Sequence, residues 1–274
     1  MEYHKVKKEI LTILLDSLSI FSTFTCTTTT LLLLIAPQKG IAIAPLKTEE
    51  AYTIPYSYTC EMISRFESTK IGGNRIETLS ATIVPTFSLR DNMNLIFYLP
   101  LEHSKIKHTS SSNSGLGDID VNFKYLIAKE SIDRPAVSLN LDIKFGIASK
   151  DESPARGTEN EDFSLYLALS KKIKEKIEVD FNAGYTKVGA DYLDNVIFYS
   201  GSLTNPINEY NFYMIELCGN TNTMPDKNDE PISAFFGFKH ITYRNVELSI
   251  GTSVGLTNTA PDYEIVLGAY YEFY

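Results

Sequence analysis

From residue 57 onward, apolar and polar residues alternate along most of the chain. In the stretch 137–147 the odd positions are Val137, Leu139, Leu141, Ile143, Phe145 and Ile147, and the even ones are Ser138, Asn140, Asp142, Lys144 and Gly146. Successive strand residues point to opposite faces, so one face of this stretch meets an oily environment and the other meets water. The stretches 177–186 and 246–255 repeat the pattern. It recurs in about twelve segments: 57–68, 75–89, 93–103, 117–128, 136–147, 162–171, 177–188, 196–203, 210–219, 233–243, 246–255 and 263–274. Most are close to the length, about 9–11 residues, that a tilted membrane strand needs. The eighth, NVIFYSGS, shows the pattern least clearly. The predicted fold is all-β: a transmembrane antiparallel β-barrel of about 12 strands.

The connectors support this. Arg90-Asp91-Asn92, Lys171 to Lys176 and Tyr243-Arg244-Asn245 are short, whereas HSKIKHTSSSNSG, ASKDESPARGTENE and GNTNTMPDKNDEP are long and polar. Short turns on one side and long loops on the other fit a barrel of the bacterial outer membrane. An even strand number brings both ends to the periplasmic side. Pro85 and Pro100 fall within or at the end of predicted strands. A closed barrel offers no free edge to a residue lacking an N–H, so each implies a bulge or a strand end.

Aromatic residues cluster towards segment ends, among them Tyr58, Phe87, Phe145, Phe163, Tyr185, Tyr271 and Phe273, as expected of rings at headgroup depth. A soluble sandwich or lipocalin-like barrel also alternates. Its single interior would have to bury too many long strands here. The last segment, Tyr263 to Tyr274, resembles the aromatic C-terminal strand by which barrel proteins are recognised for assembly. Phe273 closes its apolar face, and Tyr274 has the opposite parity.

The N-terminal region differs. Lys5, Lys7 and Lys8 precede an apolar, Thr-rich stretch, and small residues follow at Gly40-Ile41-Ala42-Ile43-Ala44. This order reads as a secretory signal over 1–44. An uncleaved anchor is the alternative, since Ile10 to Ala36 is long enough to span. The predicted organisation is therefore a signal peptide at 1–44, a periplasmic N-terminal segment at 45–56, and an outer-membrane barrel at 57–274. Whether the 45–56 segment folds inward as a partial plug is not decided by sequence.

The net charge of −9 argues against nucleic acid, whose phosphates need a basic face. Cys26, Cys60 and Cys218 are too few and too scattered for a disulfide framework or a zinc site. No cofactor and no metal is expected.

The stretch GLGDIDVNFKYLIA, 115–128, carries the most suggestive chemistry. A phosphate loop would follow a strand and open a helix. These glycines follow a Ser/Asn loop and open a strand. Asp118, Asp120, Asn122 and Lys124 share one face, as do Asn140, Asp142 and Lys144, and Asp180 and Asn182. Oxygen ligands could hold Ca²⁺, but a polar wall accounts for all of these residues, and the nine are assigned to the lumen. Lys124 and Lys144 are expected to pair with carboxylates on neighbouring strands. His103, His108 and His240, with nearby serines, raise a lipase alternative. No context brings a base, a nucleophile and an orienting acid together, so no catalytic residue is assigned. The acidic loop 149–162 could bind divalent cations between lipopolysaccharide molecules or contact a host surface.

APLKTEEAYTI at 44–54, LIFYLPL at 95–101 and the Gly115-Leu116-Gly117-Asp118 opening of a strand resemble outer-membrane "transporter" proteins named for the meta-pathway of phenol degradation. Gly157 lies in a loop similar to that family's Gly-Thr-Gly-x-x-Asp loop, with Glu159 in place of the second glycine. The likeness covers about 44–274. It implies an outer-membrane barrel conducting small solutes, apolar or aromatic ones included. Implied partners are membrane lipid, lipopolysaccharide, the barrel-assembly machinery and the solute. The alternative is a non-conducting structural or adhesion barrel.

Overall fold

The computed structural model describes residues 46–273, apart from 72–73, 108, 110, 151–153, 155–156, 175–176, 222–228 and 243–245. The expected signal, 1–44, and Tyr274 lie outside the described residues. The strands are β1 (Tyr58–Ile71), β2 (Asn74–Arg90), β3 (Met93–Ile106), β4 (Ser112–Leu116), β5 (Ile119–Ala128), β6 (Ala136–Phe145), β7 (Asp162–Ile173), β8 (Ile177–Lys187), β9 (Val196–Pro206), β10 (Asn211–Asn220), β11 (Ile232–Ile241), β12 (Val246–Gly255) and β13 (Tyr263–Phe273).

Every pairing is antiparallel, and β13 pairs with β1 from Tyr58↔Phe273 to Ser68↔Tyr263, which closes the sheet. Closure matters because hydrocarbon offers backbone N–H and C=O groups no partner. Twelve strands form the wall. They correspond one for one to the predicted segments, and the faint eighth segment becomes β9, which runs on to Pro206. A closed barrel of this kind belongs in the bacterial outer membrane.

The expected loop between β3 and the next wall strand is in part a strand. Ser112–Leu116 lacks apolar alternation, yet it pairs with the outer end of β3 from Leu101↔Leu116 to Lys105↔Ser112. The long β3 extends past its wall partner and needs a second one. The changeover falls at Pro100. The β3–β5 ladder stops at Tyr98↔Asp120, and β3–β4 pairing begins at Leu101. Pro100 has no N–H to leave orphaned there, and its carbonyl accepts the Gly117 N–H at 2.9 Å. Pro85 likewise sits where the β2–β3 ladder skips from Ile83 to Thr86, while β1–β2 pairing continues unbroken.

Burial alternates with parity. Along β7, Leu165, Leu167 and Leu169 are exposed outward while Tyr166, Ala168 and Ser170 are buried inward. Along β13, Glu264, Val266 and Tyr270 point inward, and Tyr271 and Phe273 point outward. At the periplasmic seam Tyr58 stacks on Phe273 at 5.1 Å, and Phe273 meets Tyr271 edge-on at 4.8 Å. Phe145, Phe163 and Tyr185 mark the opposite rim, at strand ends, all exposed. These two belts fit headgroup depth on either side of an apolar band.

A charge on that band should be costly. Leu167→Arg, near the middle of β7, is expected to destabilise the barrel by about 2–4 kcal/mol in urea titrations from lipid vesicles. A change below about 0.5 kcal/mol would mean that this face is not in lipid.

Candidate functional site: a strap through the barrel lumen

The nine predicted lumen residues face the interior. Asp120, Asn122 and Lys124 of β5 stand opposite Lys144, Asp142 and Asn140 of β6. Asp180 and Asn182 project from β8, and Asp118 precedes β5. Asn122 donates to the Tyr166 hydroxyl at 2.8 Å. Asp180 accepts from Ser170 at 2.6 Å and from Ser202 at 3.1 Å.

The glycine motif is a clamp at the extracellular mouth. The Asp118 carboxylate accepts the Ala148 N–H at 3.0 Å and faces Lys144 Nζ at 3.4 Å. Lys144 also reaches Asp162 at 2.6 Å. A Cβ on Gly157 would lie 2.6 Å from Asp118 Oδ1, and one on Gly117 would lie 2.8 Å from Glu102 Oε1. Both glycines therefore lie close against carboxylate side chains. Gly115 sits apart, in β4 opposite Glu102. The motif thus holds the β6–β7 loop against the mouth of the barrel.

Lys124 differs from the expectation. Its carboxylate partner is on no neighbouring strand. It is Glu49, at 3.0 Å, in the segment that precedes β1. That segment passes through the lumen as an extended strap. Lys47 pairs with Glu264 at 2.9 Å, at the extracellular end of β13. Thr48 donates through its hydroxyl to Glu216 of β10 at 2.6 Å. The Glu49 peptide is bracketed by Asn182, which accepts its N–H at 2.6 Å and donates to its carbonyl at 2.8 Å. Tyr98 donates to the Glu49 carboxylate. Lys124 also donates to the Glu50 carbonyl at 2.9 Å, and the Ala51 N–H donates to Ser170 Oγ at 2.7 Å. With its amide oriented to suit both groups, Asn94 brackets the Ile54 peptide in the same manner.

The strap leaves at the periplasmic end. Thr53 donates to the Asp91 carbonyl at 2.8 Å, and the Tyr52 hydroxyl donates to Glu130 at 2.7 Å, both partners lying between strands. Partial burial of Glu130 opposes its ionisation. Hydrogen bonds from Tyr52 and from the Lys172 N–H, with the Lys171 ion pair, outweigh that and hold its carboxyl below the ordinary carboxylate range. A depressed pKa of this kind contributes stability that is present above the unfolded value and is lost as pH falls through the folded one. The anchor therefore holds at neutral pH and in mild acid.

Above the strap is a cavity of about 400 Å³, with Lys47 and Glu49 in its floor and Asp142, Tyr166, Phe198 and Asn220 among its walls. Its lining comes largely from the extracellular halves of the strands. Below it, the apolar packing around the strap is slight: Ala51 against Leu126, Ala136 and Ala168, with Tyr52 alongside. Polar contacts therefore fix the strap.

Several of the residues that build this site are not distinguished by sequence. Tyr98 and Tyr166 read as aromatic wall residues, although their parity with Asn94 and Ser164 places them inward. Ser170 and Glu216 carry no local signal. The serine and histidine pair raised as a lipase alternative does meet, His103 Nδ1 lying 2.6 Å from Ser114 Oγ, but on the exposed β3–β4 hairpin. His240 instead meets Asn211 at 2.8 Å. Among the described residues no three acidic, histidine or cysteine side chains converge to hold a metal.

A family model described as "Putative MetA-pathway of phenol degradation" matches residues 61–273. No curated protein matches the sequence. Among solved structures, an outer membrane channel from Pseudomonas putida F1 superposes with a TM-score of 0.71 at 14% identity, covering 83% of this chain and 100% of that one. The β domain of the Bordetella autotransporter BrkA gives 0.52 at 9% identity, covering 79% and 100%. The KdgM porin gives 0.50 at 11% identity, covering 78% and 99%. At such identities these likenesses speak for the fold.

Lys124→Met would leave the Glu49 carboxylate buried without its cation, at a cost of about 3–5 kcal/mol. The strap is the part that can yield, because closure holds the wall. Amide exchange at Thr48, Glu49 and Ala51 should therefore accelerate about a hundredfold or more, with β7 amides unchanged. Equal exchange in both proteins would refute the role of this ion pair.

Proposed function

The chain belongs to the MetA-pathway phenol-degradation family, and from that premise we propose that it is a passive channel for small solutes across the bacterial outer membrane. The observation that carries this reading is the polar inward face, with a cavity of about 400 Å³ on the extracellular side of a strap held by hydrogen bonds and ion pairs. A structural plug with no transport role would be better served by apolar packing, since buried polar contacts are costly wherever they are incomplete. A strap fixed by polar groups exchanges its partners for water or solute at small net cost. Solute would enter past the Asp118–Lys144–Asp162 clamp, rest against Tyr166 and Phe198, and pass the strap at Glu49 and Asn182 on its way to the periplasm. Twelve strands give a narrow bore, so only small molecules could pass.

The aromatic strand β13 would serve as the signal for the barrel-assembly machinery, and the loop around Glu159 and Asp162 would contact lipopolysaccharide. The second reading, a non-conducting surface barrel, is favoured by one observation: the strap crosses the bore and is bonded to its wall at Glu216, at Ser170 and at the Asp91 turn.

Planar-bilayer recording separates the two. The full mature chain should show small stepwise conductance, and a variant lacking residues 46–56 should show a several-fold larger one. The variant's folding would be confirmed by heat-modifiable gel migration. A folded strap-less barrel that carries no current would overturn the channel reading and leave the surface barrel.

A further inference from the structure

The wall answers two of its inward lysines by itself. Lys144 meets Asp118 and Asp162, and Lys239 meets Glu247 of β12. Lys124 is treated differently. It is 4% exposed, yet the residues directly across from it are Asn94 of β3 and Asn140 of β6, and neither carries a charge. Among the described residues its ion-pair partner is Glu49 of the strap. The wall thus holds a buried cation whose anion comes from a separate segment.

The groups around Lys124 complete a seat for a carboxylate. Tyr98 of β3 donates its hydroxyl to Glu49 Oε1, while Lys124 Nζ lies 3.0 Å from Oε2. The Tyr166 hydroxyl of β7 accepts from Asn122 and keeps its own proton to give, and it faces the same carboxylate. Two hydroxyl donors and an ammonium, all from the wall, converge on one carboxylate. The seat borders a void. Glu49 and Tyr166 both line the cavity of about 400 Å³, and the Phe198 ring stands beside Tyr166 at 5.6 Å, edge-on. A ligand seated here has its head on Lys124 and room for an apolar body against Phe198. Asp142 lines the same cavity, so the field there does not draw in anions of every kind. Preference has to come from contact at the seat.

We propose that Lys124, Tyr98 and Tyr166 form a carboxylate-binding subsite of the bore, closed by Glu49 as its built-in occupant, so that the solutes favoured by this channel are small carboxylates with an apolar body. This rests on the channel reading above. Withdrawing Glu49 with nothing in its place would strand Lys124, which is the costly way to break a buried pair. An arriving carboxylate replaces Glu49 like for like, and Glu49 turns into the cavity it borders. The tethered Glu49 competes at a high effective concentration, so a free acid displaces it at about millimolar levels or above.

The test uses three full mature chains, wild type, E49A and E49A/K124M, each checked for folding by heat-modifiable gel migration. Butyrate and its uncharged analogue butyramide are titrated calorimetrically at constant chloride, and liposome swelling reports the passage of each. E49A should bind butyrate about tenfold or more tightly than wild type, because the tethered competitor is gone. E49A/K124M should lose about tenfold or more of that affinity. Butyramide should bind to none of the three. If E49A fails to fold, the wild type still carries the test. Saturating butyrate should then speed amide exchange at Thr48, Glu49 and Ala51 by about threefold or more as the strap is displaced, with butyramide inert. Butyrate binding to E49A without swelling by either solute would uphold the subsite and end the channel reading. Equal swelling by both solutes, with no butyrate binding to E49A, would end the subsite and keep the channel. Chloride speeding that exchange as well as butyrate does would also overturn the proposal, since any anion would then suffice.

Discussion

The structure depends on the pairing of β13 with β1. Without it the sheet would have two edges in lipid, each with a row of backbone groups that hydrocarbon cannot satisfy. Once the ring is closed, parity divides every strand into a lipid face and a lumen face, and the placement of almost all side chains follows. The wall can then tolerate local faults only where the chain has a way to satisfy the orphaned groups. Pro85 and Pro100 occupy such places, one at a skipped rung and the other where β3 changes partners.

A closed polar interior raises a second demand. Side chains such as Lys124, Asn182, Ser170 and Glu216 are turned inward by parity whether or not they have partners. The strap supplies those partners along its length, with peptide groups meeting amides and hydroxyls and Glu49 meeting Lys124. It is therefore part of how the lumen is satisfied. It also forms the floor of the cavity on the extracellular side. Fold and occlusion are in this sense one problem of satisfying buried polar groups.

The wall was legible because a strand's period of two writes itself into composition. Leu139 and Asn140 declare their faces without knowledge of any neighbour. The strand β4 was not legible, because Ser112-Asn113-Ser114-Gly115 has no apolar member to reveal a face. The GLGD stretch was legible as the opening of a strand, since β5 begins at Ile119. Its actual partners, Ala148 and Gly157, required knowledge of how a loop folds back. The strap was beyond reach for the same reason. Lys124 reads as a cross-strand ion-pair member, and its partner Glu49 lies 75 positions away in a segment with no periodicity. Tyr98 and Tyr166 were hidden differently, since an inward tyrosine looks like any other aromatic residue until register assigns it a side.

The central claim is that residues 47–54 run inside a closed barrel. The most direct measurement is disulfide trapping in intact outer membranes. Ala51 and Ser170, whose N and Oγ atoms lie 2.7 Å apart, would be changed to cysteine in a chain whose own cysteines are serine. The account predicts rapid cross-linking, with a mobility shift that reducing agent reverses, and little labelling of the cysteine at position 51 by bulky thiol reagents. No cross-link, together with free labelling of that position from the periplasmic side, would place the segment outside the barrel and contradict the account.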